Sequence, residues 1–216
     1  LFYQECCATH IVHKSNSNAG AIIPSDQIVD TVNTLSKTAL CINGDVLNWL
    51  EAHRDLWVPN LPSFDELKGH SNGYCVSKLK SIGSSIKLCN NILATAWLLK
   101  PAKELYYPMF IDWRGRFYSK GEYVNYQSHK ASLALLKFSK GLPITSMGIL
   151  YLKYYGANLY GIGTSNEHRV AWVDEHHQSI MNLDIDLISK AKNVPLFAAF
   201  CIEYKNCFTC ASPNNF

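Results

Sequence analysis

The spacing of apolar residues changes near Pro101, and this change constrains the fold more than any other feature of the sequence. Before Pro101, apolar residues recur at intervals of four and three, as on one face of a long helix: Ile28, Val32, Leu35, Ala39, Ile42, Val46 and Trp49. From Tyr106 to Tyr118, aromatic and β-favoured residues surround Asp112-Trp113-Arg114-Gly115-Arg116 and predict strand, tight turn and strand. We therefore expect a mainly α fold with a small β component (α+β), helical before the proline and mixed after it.

The helical part is predicted to contain two helices that pack as an antiparallel pair. Ser25 is the predicted N-cap of the first helix, and Gly44 interrupts it at a cost of about 1 kcal/mol relative to alanine, which allows a bend or break there. Residues Val58 to Gly73 are rich in proline and glycine and predict a loop. The second helix carries an apolar stripe from Ile86 to Trp97 and should end before Pro101.

Helical patterns return after the predicted hairpin. We expect one helix from Ser128 to Lys140, closed by a glycine and a proline, and a second from Ser146 to about Tyr160. A third should begin after Thr164, which stands at capping-box spacing from Glu167. The apolar segment from Pro195 to Tyr204 is compatible with a helix or a buried strand.

Positive charge is concentrated in the middle of the chain. Between Leu67 and Lys140 there are twelve Lys or Arg residues against three acidic ones, although the whole chain has a net charge of only +3. A basic segment of this kind suits a phosphate-rich ligand, and the alternative is a solvated surface. The longest mainly apolar run, Ile92 to Leu99, is too short to cross a bilayer, so we expect no membrane partner.

Cysteine and histidine cluster near both ends of the chain. The clusters are Cys6, Cys7, His10 and His13, and Cys201, Cys207 and Cys210. Neither has the paired spacing of a zinc site, so we expect buried thiols and no bound metal. His176 and His177 should be one core-facing and one exposed residue of a helix. Asp184 and Asp186 should lie in a solvated loop.

The turn from Asp112 to Arg116 combines several properties useful for gripping a polyanion. Gly115 permits a backbone with positive φ and a close approach by a polymer. Arg114 and Arg116 carry planar, permanently charged forks that match phosphate oxygens, and Asp112 can hold one of them by a charge-assisted hydrogen bond. An ordinary surface turn with an internal Asp–Arg pair is the alternative.

The residues around this turn resemble the single-subunit, phage- and mitochondrial-type DNA-directed RNA polymerases. Tyr107 to Tyr118 is similar to the family's Asp-x-x-Gly-Arg segment, and Asn125 and Gln127 to its Asn-x-Gln element. Four further strings follow in the family's order: LLKFSKGLPI (135–144), YLKYYGANLYG (151–161), WVDEHHQSIM (172–181) and FAAFCIEY (197–204). Val29 to Leu50 resembles the helix that precedes the family's thumb.

The resemblance implies template-dependent ribonucleotidyl transfer with Mg²⁺ as the cofactor. The family's two metal-binding aspartates are expected beyond Phe216, so we expect no catalytic residue here, an incomplete chain and no activity on its own. The nucleic-acid-binding residues that the resemblance implies are Asp112, Arg114, Gly115, Arg116, Tyr118 and Lys140. Arg116 is our first choice for a phosphate or sugar contact, and Asp112 for the residue that orients it. Lys140 is a weaker candidate for a contact with the template, and the alternative is a lysine at a helix end that complements the helix dipole.

The resemblance also implies a partial right-hand fold. Residues 1–25 remain unassigned, residues 26–104 would form a thumb-side helical region, and residues 105–216 would form the start of the palm. The implied partners are a DNA template, an RNA–DNA hybrid, ribonucleoside triphosphates and accessory transcription factors. A mitochondrial or plasmid-borne gene with a mitochondrial product is expected. The alternative function is a non-catalytic nucleic-acid-binding remnant of such a polymerase.

Overall fold

The computed structural model describes residues 25–112, 114–163 and 165–209, together with the backbone of residues 12–13. The strands are β1 (Val12–His13), β2 (Leu40–Ile42), β3 (Met109–Asp112), β4 (Phe117–Ser119) and β5 (Leu136–Phe138). The earlier helices are α1 (Asp26–Ser36), α2 (Gly44–Ala52), α3 (Phe64–Leu67), α4 (Asn72–Leu99) and α5 (Lys130–Ala134), with a 3-10 turn at Arg54–Leu56. The later helices are α6 (Ser146–Tyr160), α7 (Asn166–Glu175), α8 (His177–Met181), α9 (Ile185–Ser189) and α10 (Val194–Thr209). The expected mainly α fold with a small β component is confirmed.

Two small sheets accompany the helices. In the first, β3 lies between β1, to which it is parallel, and β4, to which it is antiparallel. Met109 pairs with Ser119 and Ile111 with Phe117, so the predicted strand, turn and strand are confirmed. In the second sheet β2 pairs antiparallel with β5.

The main core surrounds α10, the segment for which the sequence left helix and strand open. Leu196, Phe197, Phe200, Cys201 and Tyr204 are all buried on this helix. It packs against α2, α5, α6, α8 and α9. A helix surrounded in this way must be apolar over most of its circumference, which explains why periodicity alone could not identify it.

A smaller core supports the β3–β4 hairpin. Val32 of α1 is buried against Met109 and Ile111 of β3. The hydroxyl of Ser36 accepts a hydrogen bond from the backbone amide of Met109 at 3.0 Å. Helix α1 therefore fixes the hairpin to the rest of the protein.

The prediction of one long helix from Ile28 to Trp49 is wrong. Helix α1 ends at Ser36, and residues Leu40–Ile42 form β2 because they pair with β5. The side chain of Asn43 then caps α2 by accepting from the amide of Val46 at 3.3 Å. In a strand, Leu40 and Ile42 share one face, so both are buried without helical geometry.

The helix predicted from Ser128 to Lys140 is wrong for the same reason. Helix α5 stops at Ala134, and the next residues form β5 against β2. The predicted loop from Val58 to Gly73 is also interrupted, because α3 begins there with a capping box formed by Ser63 and Glu66.

The remaining helix predictions hold to different degrees. Helix α6 has the predicted bounds. Helix α4 begins at Asn72, well before the predicted stripe, and its buried residues lie only between Cys89 and Ala96. Thr164 lies outside the described residues, and Ser165 is the N-cap of α7. In the part of the chain that the structure describes, no helix is both long and apolar enough to span a bilayer.

Candidate nucleic-acid interface

The turn between β3 and β4 has the geometry that its glycine permits. The amide of Gly115 donates to the carbonyl of Asp112 at 3.0 Å, and the amide of Asp112 donates to the carbonyl of Arg116 at 2.9 Å. Gly115 has φ of 82°, a conformation that strains other residues. The chain therefore reverses tightly and leaves Arg114, Gly115 and Arg116 exposed at the tip.

The carboxylate of Asp112 organises the turn. One oxygen, Oδ1, accepts from the amides of Arg114 and Arg116 at 2.9 and 3.0 Å. The other, Oδ2, accepts from Nε and Nη2 of Arg114 at 2.9 and 2.8 Å, which forms a fork-shaped ion pair. Partial burial raises the pKa of Asp112, but the hydrogen bonds from Arg116 and Arg114 outweigh it and leave the pKa below its ordinary value.

The two arginines differ in what holds them. Arg114 is bound to Asp112 and also lies 3.5 Å from the hydroxyl of Tyr118, measured from Nη2. The pKa of Arg114 is raised by the hydrogen bond and charge of Asp112. The guanidinium of Arg116 is exposed and has no hydrogen bond or ion pair within the described residues. Asp112 therefore orients Arg116 through its backbone amide, while the guanidinium that it holds is that of Arg114.

Gln127, which we did not predict as a functional residue, braces β4 along its outer edge. Its Oε1 accepts from the amide of Ser119 at 2.7 Å, and its Nε2 donates to the carbonyl of Phe117 at 3.0 Å. Its own amide donates to Oδ1 of Asn125 at 2.8 Å. The side-chain amide thus replaces the peptide group of a neighbouring strand. The Asn-x-Gln spacing was the sequence signal for this contact.

Lys140 lies apart from this network. Its ammonium is 3.8 Å from Oε1 of Glu104, and its side chain is 88% exposed. It follows strand β5, so the alternative in which it complements a helix dipole is wrong. Among the described residues it has no hydrogen bond or ion pair with the hairpin.

The other polar candidates have structural contacts. His176 and His177 are both half-buried, so the expected split into one core-facing and one exposed residue is wrong. The Nδ1 atom of His177 lies 3.0 Å from the hydroxyl of Tyr204. Asp184 caps α9 by accepting from the amide of Asp186 at 3.0 Å, and so belongs to a helix start rather than a solvated loop.

The two cysteine and histidine clusters are only partly within the described residues. Cys6, Cys7, His10 and Cys210 lie outside them, and His13 is described by its backbone alone. Cys201 is buried, and this burial raises its pKa. Within the described ranges, no group of three or more His, Cys, Asp or Glu residues is placed to hold a metal ion.

A cavity of about 670 Å³ lies beside the second sheet. Its lining is mainly apolar and includes Leu40, Phe138 and Phe200. At its polar wall the amide of Asn43 donates to the carboxylate of Glu203. An apolar lining with a carboxylate does not suit a nucleic-acid backbone, so the hairpin tip is the better candidate for binding a polyanion.

The sequence is similar to proteins named as RNA polymerases. It is 34% identical over 200 residues to a probable DNA-directed RNA polymerase of Podospora anserina, covering 88% of this chain and 21% of that protein. A protein of the same name from Neurospora crassa is 30% identical over 207 residues, covering 88% of this chain and 23% of the relative. T7 RNA polymerase of Escherichia phage T7 is 32% identical over 108 residues, covering 47% of this chain and 12% of the relative. No family model matches the sequence. The chain spans about a fifth of the length of the first curated relatives that it matches.

Proposed function

Because this chain is homologous to part of the single-subunit DNA-directed RNA polymerases, we propose that it forms the template- and hybrid-holding surface of such an enzyme. The β3–β4 hairpin, with Asp112, Arg114, Gly115, Arg116 and Tyr118, is the contact. The protein to which this surface belongs would then carry out template-directed RNA synthesis from ribonucleoside triphosphates.

The guanidinium of Arg116 is the observation that carries this proposal. It is exposed at a turn whose backbone is held by Asp112, and no described residue neutralises it. A permanently charged planar fork fits phosphate oxygens, and the turn that carries it loses little backbone freedom on binding because Asp112 already holds it. Arg114 supplies a second fork that Asp112 has already oriented. Lys140, exposed beside Glu104, is a further candidate for template contact.

Mg²⁺ is the metal that polymerase chemistry implies, and the described residues do not fit it. The carboxylate oxygens of Asp112 already accept four hydrogen bonds from Arg114 and Arg116. A cation beside those donors would face positive charge. We therefore assign no chemical step to the described residues, whose role in this proposal is to bind and orient nucleic acid.

Salt-dependent binding of the chain to a labelled RNA–DNA hybrid tests the proposal. Arg116→Ala should weaken binding and lower the slope of log K against log salt by about 0.9, the value for one phosphate contact. Lys190→Ala, which removes an exposed lysine outside the hairpin, is the matched control and should change neither quantity. An Arg116→Ala variant that binds the hybrid like the control would refute the assignment.

We also propose a mitochondrial location. A relative from Nicotiana tabacum, 36% identical over 93 residues, has a name that assigns it to mitochondria. Fractionation of cells that express the natural gene, followed by immunoblotting, tests this. Recovery of the protein outside the mitochondrial fraction would contradict it.

A further inference from the structure

The outer face of the β3–β4 hairpin carries a stacked pair of aromatic rings. Met109 and Ile111 are buried, so the alternation of a strand places Phe110 on the opposite face of β3. Tyr118 is its direct cross-strand partner. The two ring centroids are 5.5 Å apart, with an angle of 26° between the ring planes.

A cation lies at each end of this aromatic pair. The ammonium of Lys120 is 5.7 Å from the ring centroid of Phe110. At the other end, Nη2 of Arg114 is 3.5 Å from the hydroxyl of Tyr118. We call Arg114, Tyr118, Phe110 and Lys120 the outer strip.

The backbone holds Lys120 in register with the strip. Its amide donates to the carbonyl of Pro108 at 2.8 Å, which continues the pairing of β4 with the chain before β3. Its side chain is exposed and has no ion pair with a carboxylate in the described ranges. Lys120 lies four residues beyond Arg116, or about 13 Å along an extended strand.

We propose that Phe110 and Lys120 form a second nucleotide-binding position, which takes an unpaired nucleotide next to the hybrid. This inference rests on the proposed function, because it extends the contact made at the hairpin tip. The ring pair offers apolar surface to an unpaired base or its sugar, and Lys120 neutralises the phosphate of that nucleotide. Cross-strand packing accounts for the ring pair, and the ion pair with Asp112 accounts for the position of Arg114. The exposed ammonium of Lys120 beside Phe110 is the observation that points to a ligand.

The test compares two labelled ligands bound to the 216-residue chain. One is a blunt RNA–DNA hybrid, and the other is the same hybrid with a single-stranded extension of its DNA strand. The wild-type chain should bind the extended ligand more tightly. Phe110→Leu should reduce affinity for the extended ligand by about tenfold and leave the blunt hybrid unaffected. Lys120→Gln should lower the salt slope by about 0.7 on the extended ligand only, and Lys120→Arg should restore it.

Lys190→Gln is the matched control, and far-UV circular dichroism of every variant checks that the fold is retained. Equal affinity of the wild-type chain for the two ligands would overturn the inference. An unchanged salt slope for Lys120→Gln would do the same. Arg116→Ala separates this failure from failure of the proposed function, because it should weaken binding to both ligands whatever Phe110 and Lys120 do. If Arg116→Ala also has no effect, the hairpin as a whole is not the interface.

Discussion

Gly156 allows helices α6 and α10 to approach each other closely, and this contact leads to our most discriminating prediction. A Cβ atom at position 156 would lie 2.5 Å from Cε1 of Phe200 and closer still to two other carbons of that ring. Phe200 is only 2% exposed, although its ring also borders the cavity beside the second sheet. It also packs against Phe197 and Tyr204, with centroid distances of 5.6 and 5.5 Å. Gly156→Ala should therefore destabilise the protein.

The size of the destabilisation by Gly156→Ala is the difference between two opposing effects of the added methyl group. Alanine is favoured over glycine inside a helix by about 1 kcal/mol. Overpacking a buried site costs up to about 3 kcal/mol, and the contact of the added methyl group with three carbons of the Phe200 ring places this site at the upper end. The clash outweighs the helical preference, so we expect a net loss of about 2 kcal/mol in the free energy of unfolding. In a chain of this length that loss corresponds to a fall in Tm of about 4–8 °C.

Gly83 provides the matched control. It lies inside helix α4, and a Cβ atom there would meet nothing within 4 Å. Gly83→Ala should therefore stabilise the protein by about 0.5–1 kcal/mol. Urea unfolding followed by circular dichroism measures both changes. If both alanines stabilise the protein equally, α6 and α10 do not meet at position 156. In a double-mutant cycle, Phe200→Leu should remove part of the cost of Gly156→Ala.

Three further predictions concern buried and turn residues. Tyr107→Phe should not lower the free energy of unfolding in urea, because the buried hydroxyl of Tyr107 has no partner in the described structure. Tyr204→Phe should lower that free energy by about 1 kcal/mol, because the hydroxyl of Tyr204 forms a hydrogen bond with a histidine. A larger loss in Tyr107→Phe than in Tyr204→Phe would contradict this. Burial raises the pKa of both tyrosines to about 12 in the folded protein. Their contribution to the free energy of unfolding should therefore be fully present below pH ~10 and decrease as the pH rises towards about 12. This decrease should be less steep in Tyr107→Phe. Burial raises the pKa of Asp112, but hydrogen bonds from the turn lower it more, so the pKa is below its ordinary value in the folded protein. The ionised carboxylate therefore stabilises the fold above pH ~4, and this stabilisation is lost as the pH falls. In urea titrations at successive pH values, Asp112→Asn should reduce the fall in the free energy of unfolding below pH ~4. An unchanged fall would count against the hydrogen bonds that Asp112 accepts in the turn. Gln127→Ala should speed hydrogen exchange at the amide of Ser119, because the acceptor at 2.7 Å is lost; unchanged exchange there would show that the brace does not restrain β4.

The elements that could be predicted from the sequence are those that depend on nearby residues. The hairpin around Gly115 was predictable because turn residues and flanking strands lie within a few positions of one another. Helix α6 was predictable because its N-cap, apolar spacing and closing glycine are contiguous. Strands β2 and β5 were missed because each is a strand only through pairing with the other, and Cys41 and Lys137 are far apart in sequence.

The candidate site also combines features that depend on neighbouring residues with features that depend on contacts between distant parts of the chain. The residue types from Asp112 to Arg116, and the order of motifs around them, predict a nucleic-acid contact, and this contact stays a prediction. Only the tertiary structure decided that Asp112 binds the fork of Arg114 and leaves the guanidinium of Arg116 exposed. The tertiary structure alone places Gln127 against β4 and Phe110 between Tyr118 and Lys120. Composition and local spacing determine which groups are available and how a turn closes. Which of those groups neutralise one another, and which remain open to a ligand, depends on distances that arise only when separate elements pack together.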